Sequence, residues 1–413
     1  MAVTFLNIPP RAVYCRGDEV IYDVGTDTAE GTPNLRIWLE LKVYDLDDNL
    51  LHTYKYCQEA FTLGANFGAR FYVQEQLHDL FKEMDLPEIG NDGLQICTGV
   101  FKFTASAYEI SGTDLTQSAT EDTGITSRVY WGGIAWEHDN NNLFLTTRMA
   151  EVAPLIPFLS WAPVKINLGT DQPQWLYYYV YSAAFDSLVV RLTVYDFGTG
   201  EVTADSDPFS CAQYDVVMVP VGAFNWSAIE AAFGGYAGVR KYTVQLFSGG
   251  SPCSEIRTFY LDQKYYRNIR YFFFQNSLYG LDTLRVFSET EDKTERKFTL
   301  VNRISLRDGA YIPKGQDANR RPVIQKQRKT TTSELTLAEV KWLDDLLVSP
   351  HVFELVDDRM LPIRITSASI SKFKDNDFRR TMAFEYEYAF HNQVHTPVPV
   401  IIDSGGGGGS GGG

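Results

Sequence analysis

Apolar and polar residues alternate through Leu35, Ile37, Leu39, Leu41 and Val43, and the run ends at Asp45-Leu46-Asp47-Asp48-Asn49. Side chains leave a strand on opposite faces at each step, so the alternation predicts one buried face. The Asp-rich break predicts a hairpin turn. The same arrangement returns 151 residues later, where Leu188, Val190, Leu192 and Val194 alternate and Phe197-Gly198-Thr199-Gly200 supplies the turn. Leu41-Lys42-Val43-Tyr44-Asp45 is thereby echoed by Leu192-Thr193-Val194-Tyr195-Asp196.

Three further echoes keep the same order. Phe5-Leu6 before Pro10 returns as Phe158-Leu159 before Pro163. The helical spacing Val73, Leu77, Leu80 and Phe81 has a counterpart in Trp226, Ile229 and Phe233, and Arg128-Val129-Tyr130-Trp131 is matched by Arg270-Tyr271-Phe272-Phe273. Four elements recurring in order predict a tandem duplication of a unit of about 150 residues, the size of one domain. Tyr44 and Tyr195 are then expected at equivalent positions.

Within the first unit, 1–150, strands are expected at Thr4–Ile8, Glu19–Val24, Leu35–Tyr44, Leu50–Tyr56, Leu94–Phe103 and Ala105–Ile110. A helix is expected over Phe71–Met84 and a polar loop over Ser111–Ser127. The second unit, 151–293, repeats the grammar with strands at Trp175–Tyr181, Phe209–Val221, Tyr242–Phe247 and Ile256–Leu261. Short strands separated by turns predict a mainly β chain of two tandem Ig-like β-sandwich repeats.

Residues 294–403 read differently. A strand at Thr294–Leu306 leads into a basic stretch, after which Thr336 and Glu339 form a capping box for a helix with the apolar stripe Leu337, Val340, Leu343, Leu346 and Leu347. Pro350 stops the helix, and strands at His351–Val356, Leu361–Phe373 and Arg379–Phe390 follow. The expected module is a basic arm plus a small α+β unit, a helix with a three-stranded meander. Residues 404–413 are a flexible glycine-rich tail.

Composition sharpens this picture. Tyr (24) and Phe (26) are abundant, which suits strands and cores. The net charge of −15 disfavours nucleic acid or an anionic membrane as partner. Against that background, 303–329 holds eight basic and two acidic residues, leaving 29 basic and 50 acidic elsewhere. Two readings of the segment stand: a solvated hairpin, or an arm that docks on an acidic neighbouring subunit through Arg303, Arg307, Arg320, Arg321, Lys326, Arg328 and Lys329. No secretion signal or membrane-spanning run is read in the chain, so a soluble protein folded in a cytoplasm is expected.

Candidate chemistry is sparse. Asp122-Thr123-Gly124 and Asp403-Ser404-Gly405 resemble aspartic-protease triplets, but one sits in a polar loop and the other opens the glycine tail. Asp45, Asp47 and Asn49 imitate a calcium loop, but Leu50 stands where glycine is needed and Tyr56 where the bidentate Glu belongs. His391 and His395 lie at a strand's exit, unsuited to a shared metal. Cys57/Cys97 and Cys211/Cys253 have similar spacings, yet reduced thiols are expected in a cytosolic chain. Aromatic residues at alternating strand positions read as core rather than as a sugar platform. No catalytic residue, metal or cofactor is expected.

The last hundred residues carry Lys329-Thr330-Thr331-Thr332-Ser333-Glu334-Leu335, Lys341-Trp342-Leu343-Asp344-Asp345-Leu346-Leu347-Val348-Ser349-Pro350, Leu361-Pro362-Ile363 and Phe384-Glu385-Tyr386-Glu387-Tyr388-Ala389. These resemble a module of tail and baseplate structural proteins from phages and prophages of Bacteroidetes-type bacteria. The resemblance implies a non-enzymatic virion part, assembled in the host cytoplasm into a symmetric ring with copies of itself and other virion proteins. The alternative is a carbohydrate-binding or adhesion module of a bacterial surface, which also uses tandem sandwiches but needs an export signal.

Overall fold

The computed structural model describes residues 3–8, 13–15, 19–81, 86–91, 93–97, 99–130, 155–198, 200–222, 238–288, 290–302, 317–370 and 380–389. The chain is mainly β. In the first repeat the strands are β1 (Val3–Asn7), β2 (Val13–Cys15), β3 (Ile21–Thr26), β4 (Arg36–Tyr44), β5 (Leu50–Glu59), β6 (Phe61–Leu63) and β7 (Asn66–Tyr72). They are followed by the helix α1 (Gln74–His78) and by β8 (Gln95–Ile96), β9 (Val100–Ser111), β10 (Thr116–Gln117), β11 (Glu121–Asp122) and β12 (Ser127–Tyr130). One sheet runs β1-β3-β7-β6, and the other β2-β12-β9-β4-β5. β1 thus sits in one sheet and β2 in the other, where β2 lies parallel to the last strand of the repeat, β12. This strand order is that of an Ig-like sandwich.

The second repeat comprises β13 (Lys165–Gly169), β14 (Trp175–Tyr179), β15 (Ser187–Asp196), β16 (Glu201–Asp205), β17 (Phe209–Ser210), β18 (Val216–Pro220), β19 (Val239–Ser248), β20 (Ser251–Pro252) and β21 (Arg257–Asp262). Its order β13-β21-β19-β15-β16 reproduces β2-β12-β9-β4-β5, again with a parallel first pair. The tyrosines match in register: Tyr44 lies opposite Lys102 across β4 and β9, and Tyr195 opposite Lys241 across β15 and β19. Both hairpins close alike. The backbone N–H groups of Asn49 and Gly200 donate to Oδ1 of Asp45 and Asp196, at 2.8 and 3.0 Å. Inside the sandwiches, Ile37, Leu39, Leu41 and Val43 on β4, and Leu188, Val190, Leu192 and Val194 on β15, are buried as their alternation predicts.

Several expected elements shift. Phe71 and Tyr72 belong to β7, so the helix is shorter than 71–84, although Val73, Leu77 and Phe81 are buried at the helical spacing. The strand expected over Phe209–Val221 is two, β17 and β18. The loop over Ser111–Ser127 carries β10 and β11, which fold back onto β9. The helical echo at Trp226, Ile229 and Phe233 lies outside the described residues. The fourth echo pairs non-equivalent strands: β12 corresponds to β21, while Arg270–Gln275 forms β22 in the seven-stranded sheet of the C-terminal module.

That sheet has the order β23-β22-β26-β27-β28-β25-β24 and is antiparallel throughout. Its strands are β22 (Arg270–Gln275), β23 (Leu281–Val286), β24 (Glu291–Asn302), β25 (Asp317–Thr331), β26 (Val352–Val356), β27 (Arg359–Ile370) and β28 (Met382–Tyr388). The expected meander is β26-β27-β28. The module also takes in Arg270–Val286, which the repeat pattern placed in the second unit, because the aromatic run Phe272-Phe273-Phe274 pairs with β26. Helix α2 (Leu337–Val348) starts at the expected capping box. Val340, Trp342, Leu343 and Leu346 are buried with Phe272, Phe274 and Phe384, whereas Leu337 and Leu347 stay exposed. The indole of Trp342 turns inward because its N–H donates to the buried Asp282 carboxylate at 2.7 Å.

Runs of adjacent aromatic residues mark strands buried on both faces. On β14, Trp175, Tyr177 and Tyr179 join a core shared with the first repeat and the C-terminal sheet, while Leu176 and Tyr178 fill the second sandwich. β14 pairs with β18, and β8 of the first repeat extends that pair into a three-stranded sheet. Asp282 also accepts from Ser160 Oγ at 2.8 Å, tying the start of the second repeat to the C-terminal module.

Candidate assembly interface

The basic segment folds as one long hairpin. β24 and β25 pair from Glu291–Lys329 to Asn302–Asp317. Only Gln327–Thr331 of β25 also pair with β28. Beyond Lys326, the backbone of 317–326 pairs with 294–302 alone among the described residues. Nine residues of β24 at about 3.3 Å per residue give a two-stranded ribbon roughly 30 Å long. Two-stranded ribbons have little core of their own and are marginal in isolation.

A register shift falls between Lys297 and Thr299, where Phe298 stands opposite both Arg321 and Pro322. Proline lacks the N–H a ladder needs and is tolerated at such bulges. Arg320 lies opposite Thr299 and Lys326 opposite Thr294. Arg303 and Arg307 lie outside the described residues.

At the base of the ribbon the picture changes. Arg328 Nη1 donates to Tyr388 Oη at 2.6 Å and approaches Glu354 Oε2 at 3.4 Å, with its guanidinium 5.1 Å from the Tyr388 ring centre. Glu354 on β26 is only 1% exposed. It also receives Arg270 Nη1 and the hydroxyls of Tyr386 and Tyr388, the latter two at 3.1 and 2.8 Å. Burial, with the Glu354 carboxylate beside them, pushes both tyrosine hydroxyls well above the ordinary phenol value. Arg328 is therefore an internal anchor, and the expectation that all seven basic groups face a neighbour fails there. A carboxylate in a closing sheet needs matched donors, and β22, β25 and β28 supply them. Lys329 is exposed and lies opposite Glu385 in register.

The sequence picked out the charges but missed the anchor. Its signal was present: Glu354 sits among apolar strand residues, and a carboxylate inside such a run demands cations elsewhere in the chain.

Other candidates disperse. Asp122 at the end of β11 is exposed and Thr123 just beyond it half-buried, while Asp403, His391 and His395 lie outside the described residues. Asp45 and Asn49 bond each other across the turn, at 2.8 Å from Asn49 Nδ2 to Asp45 Oδ2. Among the described residues Cys57, Cys97, Cys211 and Cys253 form no disulfide. Among the described residues no group of three or more His, Cys, Asp or Glu side chains is placed to hold a metal, and no helix is long and apolar enough to cross a membrane.

No protein-family model and no curated protein matches the chain. Among solved structures it is similar to the crystal structure of an ICAM-5 D1–D4 ectodomain fragment, at 11% identity and a TM-score of 0.16, over 87% of this chain and 73% of that one. At that score the likeness carries no argument, and the Ig-like assignment rests on strand order.

Proposed function

We propose that this chain is a non-enzymatic structural component of a phage virion, a tail or baseplate ring protein that works through protein–protein assembly. The observation that carries assembly is the ribbon formed by β24 and β25, which leaves the sheet and brings basic positions with it. The rest of the chain is acidic, so copies of the same protein offer the complementary charge. Tandem sandwiches joined through a shared core form a stiff spacer between such contacts. The virion assignment itself rests on the resemblance of the last hundred residues, and with it go assembly in the host cytoplasm and partnership with other virion proteins rather than nucleic acid or membrane.

Proteomics of particles purified on a density gradient tests this reading. The chain should co-purify in multiple copies per particle, in fixed ratio to other tail proteins. Its absence from intact particles, or its recovery only with the host envelope, would overturn the virion assignment.

A further inference from the structure

Charge is distributed unevenly along the chain. Residues 303–329 hold eight basic and two acidic residues, while 192–239 contains six acidic residues and no lysine or arginine, the longest such gap in the sequence. That acidic stretch includes β16, which ends the second sandwich's sheet β13-β21-β19-β15-β16. β16 is exposed along its length apart from half-buried Ala204.

The outer edge of β16 offers backbone groups. At the two ends of the β15–β16 ladder, Asp196 N–H donates to Gly200 C=O at 3.2 Å and Ser206 N–H to Val190 C=O at 2.9 Å. Bonded and non-bonded pairs alternate in an antiparallel ladder, so Val202 and Ala204 bond β15. Glu201, Thr203 and Asp205 then turn their N–H and C=O groups away from it. Among the described residues β16 pairs with β15 alone. Such an edge is a template for another strand unless lysine or proline blunts it, and β16 has neither. The corresponding edge strand β5 carries Lys55, which meets Glu40 at 3.1 Å. Around β16, Asp205 is held by Arg191 at 2.7 Å, whereas Glu201 and Asp207 make no ion pair among the described residues. Arg240 and Lys241 lie two strands away on β19, with Lys241 4.3 Å from the Tyr195 ring centre.

The ribbon ends the C-terminal sheet in a similar way, since β24 pairs only with β25 among the described residues. β24 itself is neutral, with Glu291, Asp292 and Glu295 against Lys293, Arg296 and Lys297, so the attraction comes from the basic segment 303–329 that follows it. We propose that β24 of one copy adds to the edge of β16 in the next, bringing the basic segment against Glu201 and Asp207. This rests on the assembly reading and names its acceptor surface. The two patches differ, so the contact runs head to tail, and repeated copies form a ring where the rotation closes.

Sedimentation velocity of full-chain variants tests it. Glu201→Lys with Asp207→Lys should weaken self-association roughly two- to thirtyfold at low salt, because two exposed pairs are lost and reversed. Thr203→Pro removes an outward N–H without touching the bonds to β15, and should weaken it by about two- to tenfold. Thr53→Lys on β5 should leave association unchanged. A chain with Arg320, Arg321 and Lys326 all changed to Glu should also associate poorly. Mixing it with the Glu201→Lys, Asp207→Lys chain should restore association, because each supplies the charge the other needs. Association weakened by the ribbon changes but untouched by those on β16, or no recovery on mixing, would overturn this inference and leave the assembly reading standing. A parent chain that stays monomeric at every concentration and salt would overturn both.

Discussion

Replacing Glu354 with Gln asks whether the base of the ribbon is held by a buried charge cluster. The side chain keeps its shape, but two guanidiniums and two tyrosine hydroxyls lose their anionic acceptor. Breaking a fully buried pair by removing one partner costs about 3–5 kcal/mol. Here the arginine side chains retain 26% and 22% exposure, so water recovers part of their solvation. We therefore expect about 2–4 kcal/mol of local destabilisation across β25, β26 and β28. At 1.4 kcal/mol per factor of ten, amide exchange through local opening should accelerate by roughly 30- to 1,000-fold. Hydrogen–deuterium exchange mass spectrometry of peptides covering 327–331, 352–356 and 382–388 reads this directly, and peptides covering β4 and β9 serve as the internal control. Exchange within about threefold of the parent in all three peptides would refute the anchoring role.

Burial lifts the Asp345 carboxyl to about 6, against hydrogen bonds from Ser277 that favour its ionised form. A carboxyl raised in the folded state favours folding when protonated, so this contribution declines as pH rises from about 4 to about 6 and is absent above that. Asp345→Asn, which keeps an acceptor for Ser277, should therefore stabilise the protein by about 1–3 kcal/mol at pH 7.5 and by little at pH 4, as read by urea unfolding. An equal effect at both pH values would contradict this. A Cβ at Gly68 would lie 2.1 Å from the Val24 carbonyl oxygen, so Gly68→Ala should lower stability by about 1–3 kcal/mol in the same assay. Alkylation of the native protein should mark exposed Cys57 well before Cys253, which is buried and whose thiol is pushed up to about 11 by burial. Faster labelling of Cys253, located by peptide mapping, would mean that the second sandwich opens readily.

Local periodicity carried most of the fold. The alternation on β4 and β15 was read correctly because one face of each meets a core and the other meets solvent. The capping box at Thr336 was legible because it is closed within four residues. Sequence echo misled where chemistry recurs without topology: Arg128–Tyr130 and Arg270–Phe272 are both Arg-plus-aromatic runs, but they pair in different sheets. Trp342 falls outside the apolar stripe read from the sequence, since its partner Asp282 is 60 residues away. Arg328 looked like a free charge for the same reason, because Glu354 reaches it only through strand order.

Sedimentation velocity across protein concentration and salt tests assembly through the ribbon most directly. The variant should change Arg320, Arg321 and Lys326 to Ser and leave Arg328 in place, because Arg328 holds the sheet together. Exposed pairs contribute about 0.2–1 kcal/mol each and are screened over about 10 Å in 0.1 M salt. The parent should therefore associate and weaken as salt rises. The triple variant should associate roughly threefold to a hundredfold more weakly at low salt and lose most of the salt dependence, while its monomer sediments as the parent's does. Association equal to the parent's at every salt concentration would contradict the claim that this ribbon joins one subunit to the next.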